Sequence, residues 1–248
     1  MSTPITDSFL LLEDAENQLD LIKIGYENSA EEKEISGLFR LKIKHFLDNI
    51  RSALDYAAWQ IYIEKSRNNV QERNRERHEK AIYFPVFKVK RYFDDAISNK
   101  FPGLEESSSE IINILESVQA FNTENGTNWT TYLVELSNNN KHRHLTQQIK
   151  RETVYIDNLV TNDGNVRIQG LTFVSENGSS AFGMNDINIT NMTLGDYPEQ
   201  FSYEGNVEIE FIFNDIEQPV LPVLEDMLHG ANEIIRRLSD ALTASTAE

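Results

Sequence analysis

Two stretches of this chain combine residue types and spacings that could do chemistry. In His45-Phe-Leu-Asp48-Asn-Ile-Arg51-Ser-Ala-Leu-Asp55-Tyr56, Arg51 stands three residues after Asp48 and four before Asp55. On a helix these are neighbours, so one guanidinium can face two carboxylates. Two uses fit: a salt-bridge row that orients a helix, or an arginine held rigid so that its guanidinium meets a phosphate. The second stretch is Leu133-Val-Glu-Leu136-Ser-Asn138-Asn-Asn140-Lys141-His142-Arg143-His144. Leu133 and Leu136 define a buried stripe that helical geometry continues through Asn140, Arg143, His144 and Gln147, with His142 about half a turn away. Polar groups on such a stripe need partners, and the carboxylates of the first stretch are natural ones. Lys141 and Arg143 bring positive charge, and His142 an imidazole that exchanges a proton near neutral pH.

Other chemistries find no support. The chain has no cysteine, which excludes thiol catalysis, Cys-ligated zinc and iron–sulfur clusters. It has five histidines and no His-Glu-X-X-His, and His142 and His144 are too close to share a helical face, so no metal is expected. With 11 glycines it has neither a Gly-rich phosphate loop, nor a Rossmann fingerprint, nor Gly-X-Ser-X-Gly, so no cofactor is expected either. Small-molecule catalysis by a carboxylate pair has no paired motif behind it.

The elements that must position these residues change character along the chain. Residues 1–151 read as helical. Leu11, Leu12, Ala15, Leu19 and Ile22 recur at helical spacing, and Ser29-Ala-Glu-Glu32 fits a capping box for a longer helix running to about Lys65. Its core stripe is Ile43, Leu47, Ile50, Leu54, Ala57 and Ile61. The opposite face carries His45, Asn49, Ser52, Tyr56 and Trp59, whose two large aromatics predict cover on both sides. Residues 65–80 have no apolar period and read as a solvated helix or a loop. Ile82-Tyr-Phe-Pro85-Val-Phe87 reads as an extended segment, because Pro85 opposes helix. A helix capped by Ser107, Ser108 or Ser109 follows, then a turn at Asn125-Gly126 and a helix from about Asn128 to Leu145.

From Thr153 the period is two. Thr153-Val-Tyr-Ile, Val166-Arg-Ile-Gln, Leu171-Thr-Phe-Val, Ile187-Asn-Ile-Thr and Val207–Phe213 read as strands. The turns expected between them are Asn162-Asp-Gly, Glu176-Asn-Gly, Leu194-Gly-Asp and Glu204-Gly-Asn. A final helix holds Leu221, Leu224, Leu228, Ile234, Ile235 and Leu238. The fold class is therefore α+β: a helical bundle over 1–151, an antiparallel β-subdomain over 152–216, and a helix over 217–248 returning to the bundle.

The chain of 248 residues carries 23 Lys and Arg against 40 Asp and Glu, a net charge of −17, which on its face disfavours nucleic acid. The charge is unevenly spread. Lys65 to Arg91 holds nine cations and three glutamates, leaving 14 cations and 37 acids elsewhere. Arg67, Arg73, Arg75, Arg77, Lys88, Lys90 and Arg91 are the candidate nucleic-acid contacts, should this segment converge with Arg51 and the 141–151 cations on a phosphate backbone. The alternative is a solvated helix in which Glu72, Glu76 and Glu79 pair its arginines. The N-terminus has no cationic, apolar leader, no apolar run is long enough for a membrane span, and the Asn-X-Ser/Thr triplets reflect Asn-rich composition. The expectation is a cytoplasmic protein with no membrane partner.

Ile50-Arg-Ser-Ala-Leu-Asp-Tyr56 together with Glu135-Leu-Ser-Asn-Asn-Asn-Lys-His-Arg143 resembles a set of uncharacterised bacterial proteins. Their usual motifs are Leu-Arg-Ser-Ala-Leu-Asp-His and Asn-X-Asp-Lys-His-Arg. The first motif, as Arg-X4-His, is similar to the signature of HEPN domains. The resemblance covers about 35 of the 248 residues. It implies a HEPN-like helical bundle, often dimeric, of a class rich in metal-independent endoribonucleases of antiphage defence and toxin–antitoxin systems. RNA and a cognate antitoxin or defence protein are the partners it implies. Arg51 takes the place of the HEPN arginine, and Asn138, Lys141, His142 and Arg143 match the later motif. Tyr56 stands where the histidine would be and Asn140 replaces the usual aspartate. A phenol with a pKa near ~10 is a poor general base at neutral pH. So either His142 supplies the imidazole, or the chain binds without cutting. The catalytic set expected on this basis is Arg51, His142 and Arg143, supported by Asp48, Asp55, Tyr56, Asn138 and Lys141. The rival expectation is a non-catalytic protein-interaction module in which these polar motifs fix helix packing.

Overall fold

A computed structural model describes residues 3–28, 37–161, 167–176, 183–184, 187–188 and 201–244. The chain is α+β, and its contacts divide it into two units. The helical unit holds residues 1–23, 40–146 and 222–248, and the sheet unit holds 24–39 and 147–221. The sheet residues thus lie between helical segments in sequence, as expected. The division falls a few residues earlier than the change of period at Thr153, and it assigns 24–39 to the sheet unit.

The long helices α1 (Pro4–Asn28) and α2 (Gly37–Ile61), which belong to the helical unit up to Lys23 and from Arg40 onward, are followed by a π-helical turn, Tyr62–Ser66, and a 3-10 turn, Arg67–Asn69. The proposed capping box at Ser29 lies outside the described residues. The whole expected stripe of α2, from Ile43 to Ile61, is fully buried, and Phe46, Ala53 and Ala58 are buried with it. Each large apolar side chain removed from water contributes roughly 1.5–3 kcal/mol, so α2 is the centre of this core. Its other face is only partly covered. Trp59 packs against Tyr62 with ring centroids 5.3 Å apart, whereas Tyr56 remains 43% exposed.

Residues 65–80 resolve into α3 (Glu72–Glu79), a helix with no buried residue. Residues 82–87 form neither helix nor strand, and Pro85 there opposes helix. Then come α4 (Lys90–Lys100), α5 (Leu104–Ser107), α6 (Ser109–Ser117) and α7 (Trp129–His142). Asn128 starts α7 with a reciprocal capping box. Its Oδ1 accepts from the Thr131 N–H at 3.2 Å, and its own N–H donates to Thr131 Oγ1 at 2.9 Å. The long C-terminal helix α8 (Val220–Ala244) belongs to the same unit from Pro222 onward. Gly230 on α8 leaves the space that the Trp129 ring occupies; a Cβ there would sit 2.5 Å from it.

The sheet unit is antiparallel, with strand order β2-β1-β5-β6, where β1 is Gln148–Thr161, β2 Arg167–Glu176, β5 Phe201–Phe213 and β6 Gln218–Pro219. A separate two-residue hairpin pairs β3 (Gly183–Met184) with β4 (Ile187–Asn188). Two expectations are corrected here. Arg167-Ile-Gln and Leu171-Thr-Phe-Val belong to one strand (Val166 lies outside the described residues), and Glu204-Gly-Asn is not a turn but the interior of β5. The physical reason is a β-bulge: Ile156 pairs with Gly205 and Asn158 with Glu204, leaving Asp157 unpaired on that side. Gly170, at φ +67°, lies between the β2 partners of the same two β1 residues. The turn residues that read as loops are thus the bend of a three-stranded ladder. The other three expected turns fall outside the described residues, apart from Glu176 at the end of β2. Within this unit Tyr26 is stacked against both Phe39, at 5.1 Å, and Phe211, at 4.0 Å.

Candidate functional site

Both chemistry-bearing stretches reach one cavity of about 450 Å³ in the helical unit. From α2 come Arg51 and Asp55, one turn apart on its flank. From α7 come Val134, Ser137, Asn138 and Lys141, whose spacing puts them along one side of that helix. The segment from Tyr83 to Phe87 lines another part, and Lys100 enters from the last turn of α4.

This segment is pinned by side chains. The Phe84 N–H donates to Asp55 Oδ1 at 2.9 Å, and the Phe87 N–H donates to Gln119 Oε1 at 2.8 Å. The Gln119 amide donates in turn to the carbonyls of Pro85, at 2.9 Å, and Leu115, at 2.8 Å, from a fully buried position. A chain with Pro85 in it cannot close these groups in a helix, so buried side chains satisfy them instead. His78 plays a similar part for α4: its Nε2 lies 2.9 Å from the Lys100 carbonyl while its ring stacks on Tyr62 at 5.4 Å.

Charge in the cavity is unbalanced. Arg51 Nε lies 3.4 Å from Asp55 Oδ2, and both side chains are mostly buried. Burial pushes the Asp55 carboxyl above its ordinary pKa, against the pull of the Arg51 guanidinium, the Phe84 N–H and the Lys141 ammonium. Burial also lowers the pKa of the Lys100 ammonium; the Arg51 charge adds to this and Asp55 opposes it. Among the described residues Lys100 and Lys141 form no ion pair. Three cations therefore face one carboxylate. Ser137 is 2% exposed, and its hydroxyl has no hydrogen-bond partner.

Arg51 and Asp55, singled out by their spacing, and Asn138 and Lys141, singled out by the resemblance, thus line one cavity. Other expected residues are placed elsewhere. Asp48 is paired with Lys44, so Arg51 faces one carboxylate rather than two. Tyr56 does not line the cavity. Arg143 is the exposed C-cap of α7, because the helix ends at His142; this also takes His144 off the stripe extrapolated from Leu133 and Leu136. His142 is the last residue of α7, and its side chain lies outside what the structure describes. None of the seven cations proposed as nucleic-acid contacts lines the cavity. Arg67 meets Glu79 at 3.1 Å, Arg73 Nε donates to Gln71 Oε1 at 3.1 Å, and Lys90 meets Glu116 at 2.8 Å and Asp94 at 3.2 Å. Arg77, Lys88 and Arg91 are exposed, and Arg75 is half-buried with an unpartnered Nε. Among the described residues no group of three His, Asp or Glu side chains could hold a metal ion, and no helix is long and apolar enough to cross a membrane.

Two lining residues were missed in the sequence, and each had a signal. Lys100 continues the stripe of Phe93 and Ile97, both buried, which puts a lysine at the end of an apolar helix face. Ser137 follows Leu133 by four residues and shares its buried side. Comparison with protein-family models, with curated proteins and with solved structures gives no match to this chain.

Proposed function

We propose that this chain is a HEPN-like RNA-binding protein of bacterial defence or stress, with the Arg51–Lys100–Lys141 cavity as its phosphate site. The observation that supports it is convergence: two motifs far apart in sequence reach one cavity where, among the described residues, cations exceed carboxylates by two. A guanidinium whose Nε is held by Asp55 presents its remaining N–H groups in a fixed direction, which suits a phosphate oxygen pair. Of the two activities that the resemblance implies, binding fits the cavity better than cleavage. Metal-free cleavage needs a base to take the 2′-hydroxyl proton as that oxygen attacks phosphorus, and an acid to protonate the departing 5′-oxygen. Asp55, the carboxylate among the described lining residues, already accepts the Phe84 N–H, and the side chain of His142, the candidate imidazole, is not among those described. A homodimer and a cognate antitoxin or other defence-system partner belong to the same proposal.

The test is titration of single-stranded RNA against wild type and Arg51→Ala, with a cleavage assay run in chelator beside it. RNA affinity should fall at least ~10-fold in the variant, equivalent to ~1.4 kcal/mol. Equal affinity in the two proteins overturns the proposal. Cleavage by wild type that His142→Ala abolishes would restore the nuclease version. The bond from Asp55 to the Phe84 N–H favours a second reading for that one residue, a structural carboxylate. If the whole motif is structural, Arg51→Ala should lower the melting temperature sharply and leave RNA affinity unchanged.

A further inference from the structure

We infer that the cavity selects a phosphomonoester dianion, the terminal phosphate of an RNA strand or of a free nucleotide, over an internal phosphodiester. The inference rests on reading the cavity as a phosphate site and concerns which phosphate it takes. Arg51, Lys100 and Lys141 bring three positive charges, and Asp55 returns one, so two are left. A phosphodiester carries one negative charge; a phosphomonoester carries about −1.5 to −2 at neutral pH. Lys100 is half-buried at the end of α4, where an uncompensated charge is costly, so a ligand that neutralises the cavity completely is preferred.

Space and hydrogen bonding agree with this. A volume of about 450 Å³ lies at the small end of the roughly 300–1,000 Å³ typical of small-molecule sites, room for one nucleotide. Tyr83, 51% exposed, offers an aromatic face for the attached base. Ser137 contributes a buried hydroxyl with no partner, and a dianionic phosphoryl group has an oxygen more to offer it than a diester has.

The experiment compares one single-stranded RNA sequence with a 5′-phosphate, with a 3′-phosphate and with hydroxyl at both ends, alongside a nucleoside monophosphate. The ligands are titrated into wild type, Lys100→Gln and Ser137→Ala. A phosphate-ended RNA should bind at least ~10-fold tighter than its hydroxyl-ended twin, and Lys100→Gln should weaken the phosphate-ended RNA by a larger factor than the hydroxyl-ended one, so that the ratio shrinks. Ser137→Ala, a smaller change inside the helix, should shrink the ratio even if Lys100→Gln fails to fold. Equal affinity for all three RNAs overturns the inference and leaves RNA binding standing. Binding of the nucleoside monophosphate alone upholds the inference and overturns the RNA reading. Binding of none of the ligands overturns both.

Discussion

The sheet unit and the helical unit use the same cationic side chains in opposite ways. On β1 the adjacent Lys150 and Arg151 meet Glu152 and Glu176, each at 2.8 Å, so that strand leaves little charge unspent. In the helical unit Lys100 and Lys141 reach the same cavity as Arg51, and Asp55 is the only carboxylate among its described lining residues. In a chain with a net charge of −17, an uncompensated cationic pocket is the informative feature. The number of cations in a segment is a poor guide: the most basic stretch, 65–91, spends Arg67 and Lys90 on nearby carboxylates.

The contrast can be broken most forcefully at Asp55. Asp55→Ala removes the acceptor of the Phe84 N–H, on a residue only 2% exposed, and leaves three cations without a counter-charge. A loss of about 2–3 kcal/mol is expected in urea or thermal unfolding. Asp55→Asn keeps an acceptor oxygen and should cost under ~1 kcal/mol; equal damage from both would show that charge, not the hydrogen bond, holds the segment.

The carboxylate also predicts a pH effect. Burial raises the Asp55 pKa in the folded state above the free value, so the folded protein binds that proton more tightly than the unfolded chain. The contribution of this group to stability therefore increases as pH falls through the folded pKa and levels off below the unfolded one. The melting temperature of wild type relative to Asp55→Asn should rise as the pH is lowered from neutral; a falling difference would contradict the sign.

The sheet unit should respond weakly and without any effect on ligand binding. Tyr26 is buried between two aromatic rings, its hydroxyl has no partner, and burial raises its pKa. Tyr26→Phe should stabilise by up to ~1 kcal/mol. Arg151→Ala breaks a half-exposed ion pair and should cost no more than ~0.5 kcal/mol. A change in RNA affinity from either variant would place the site in the wrong unit.

Much of this was legible in the residues, and the misses have physical causes. The α2 stripe and the start of α7 were readable because apolar period and capping are local properties. Arg51 and Asp55 were readable as an i, i+4 pair. Asp48 was not, because Lys44 and Arg51 both lie one turn away and the choice between them depends on neighbours outside the helix. Glu204-Gly-Asn has the composition of a turn, and only the opposite strand, with Asp157 bulged out, makes it an interior strand segment. The extrapolated stripe from Leu136 to Arg143 and His144 failed because α7 ends at His142, where no glycine or proline announces a stop. Lys100 is a site residue only by tertiary folding: the turns that carry α4 to the cavity, helped by the bond from His78 to the Lys100 carbonyl, leave no mark near Arg51 in the sequence.

The most direct test is the affinity of single-stranded RNA for wild type and for Lys141→Gln, measured with both melting curves. Lys141 lines the cavity, is exposed and forms no ion pair among the described residues, so its neutralisation should leave folding intact. The account predicts an unchanged melt and RNA binding weakened by about 10-fold. An unchanged melt with unchanged affinity would contradict it.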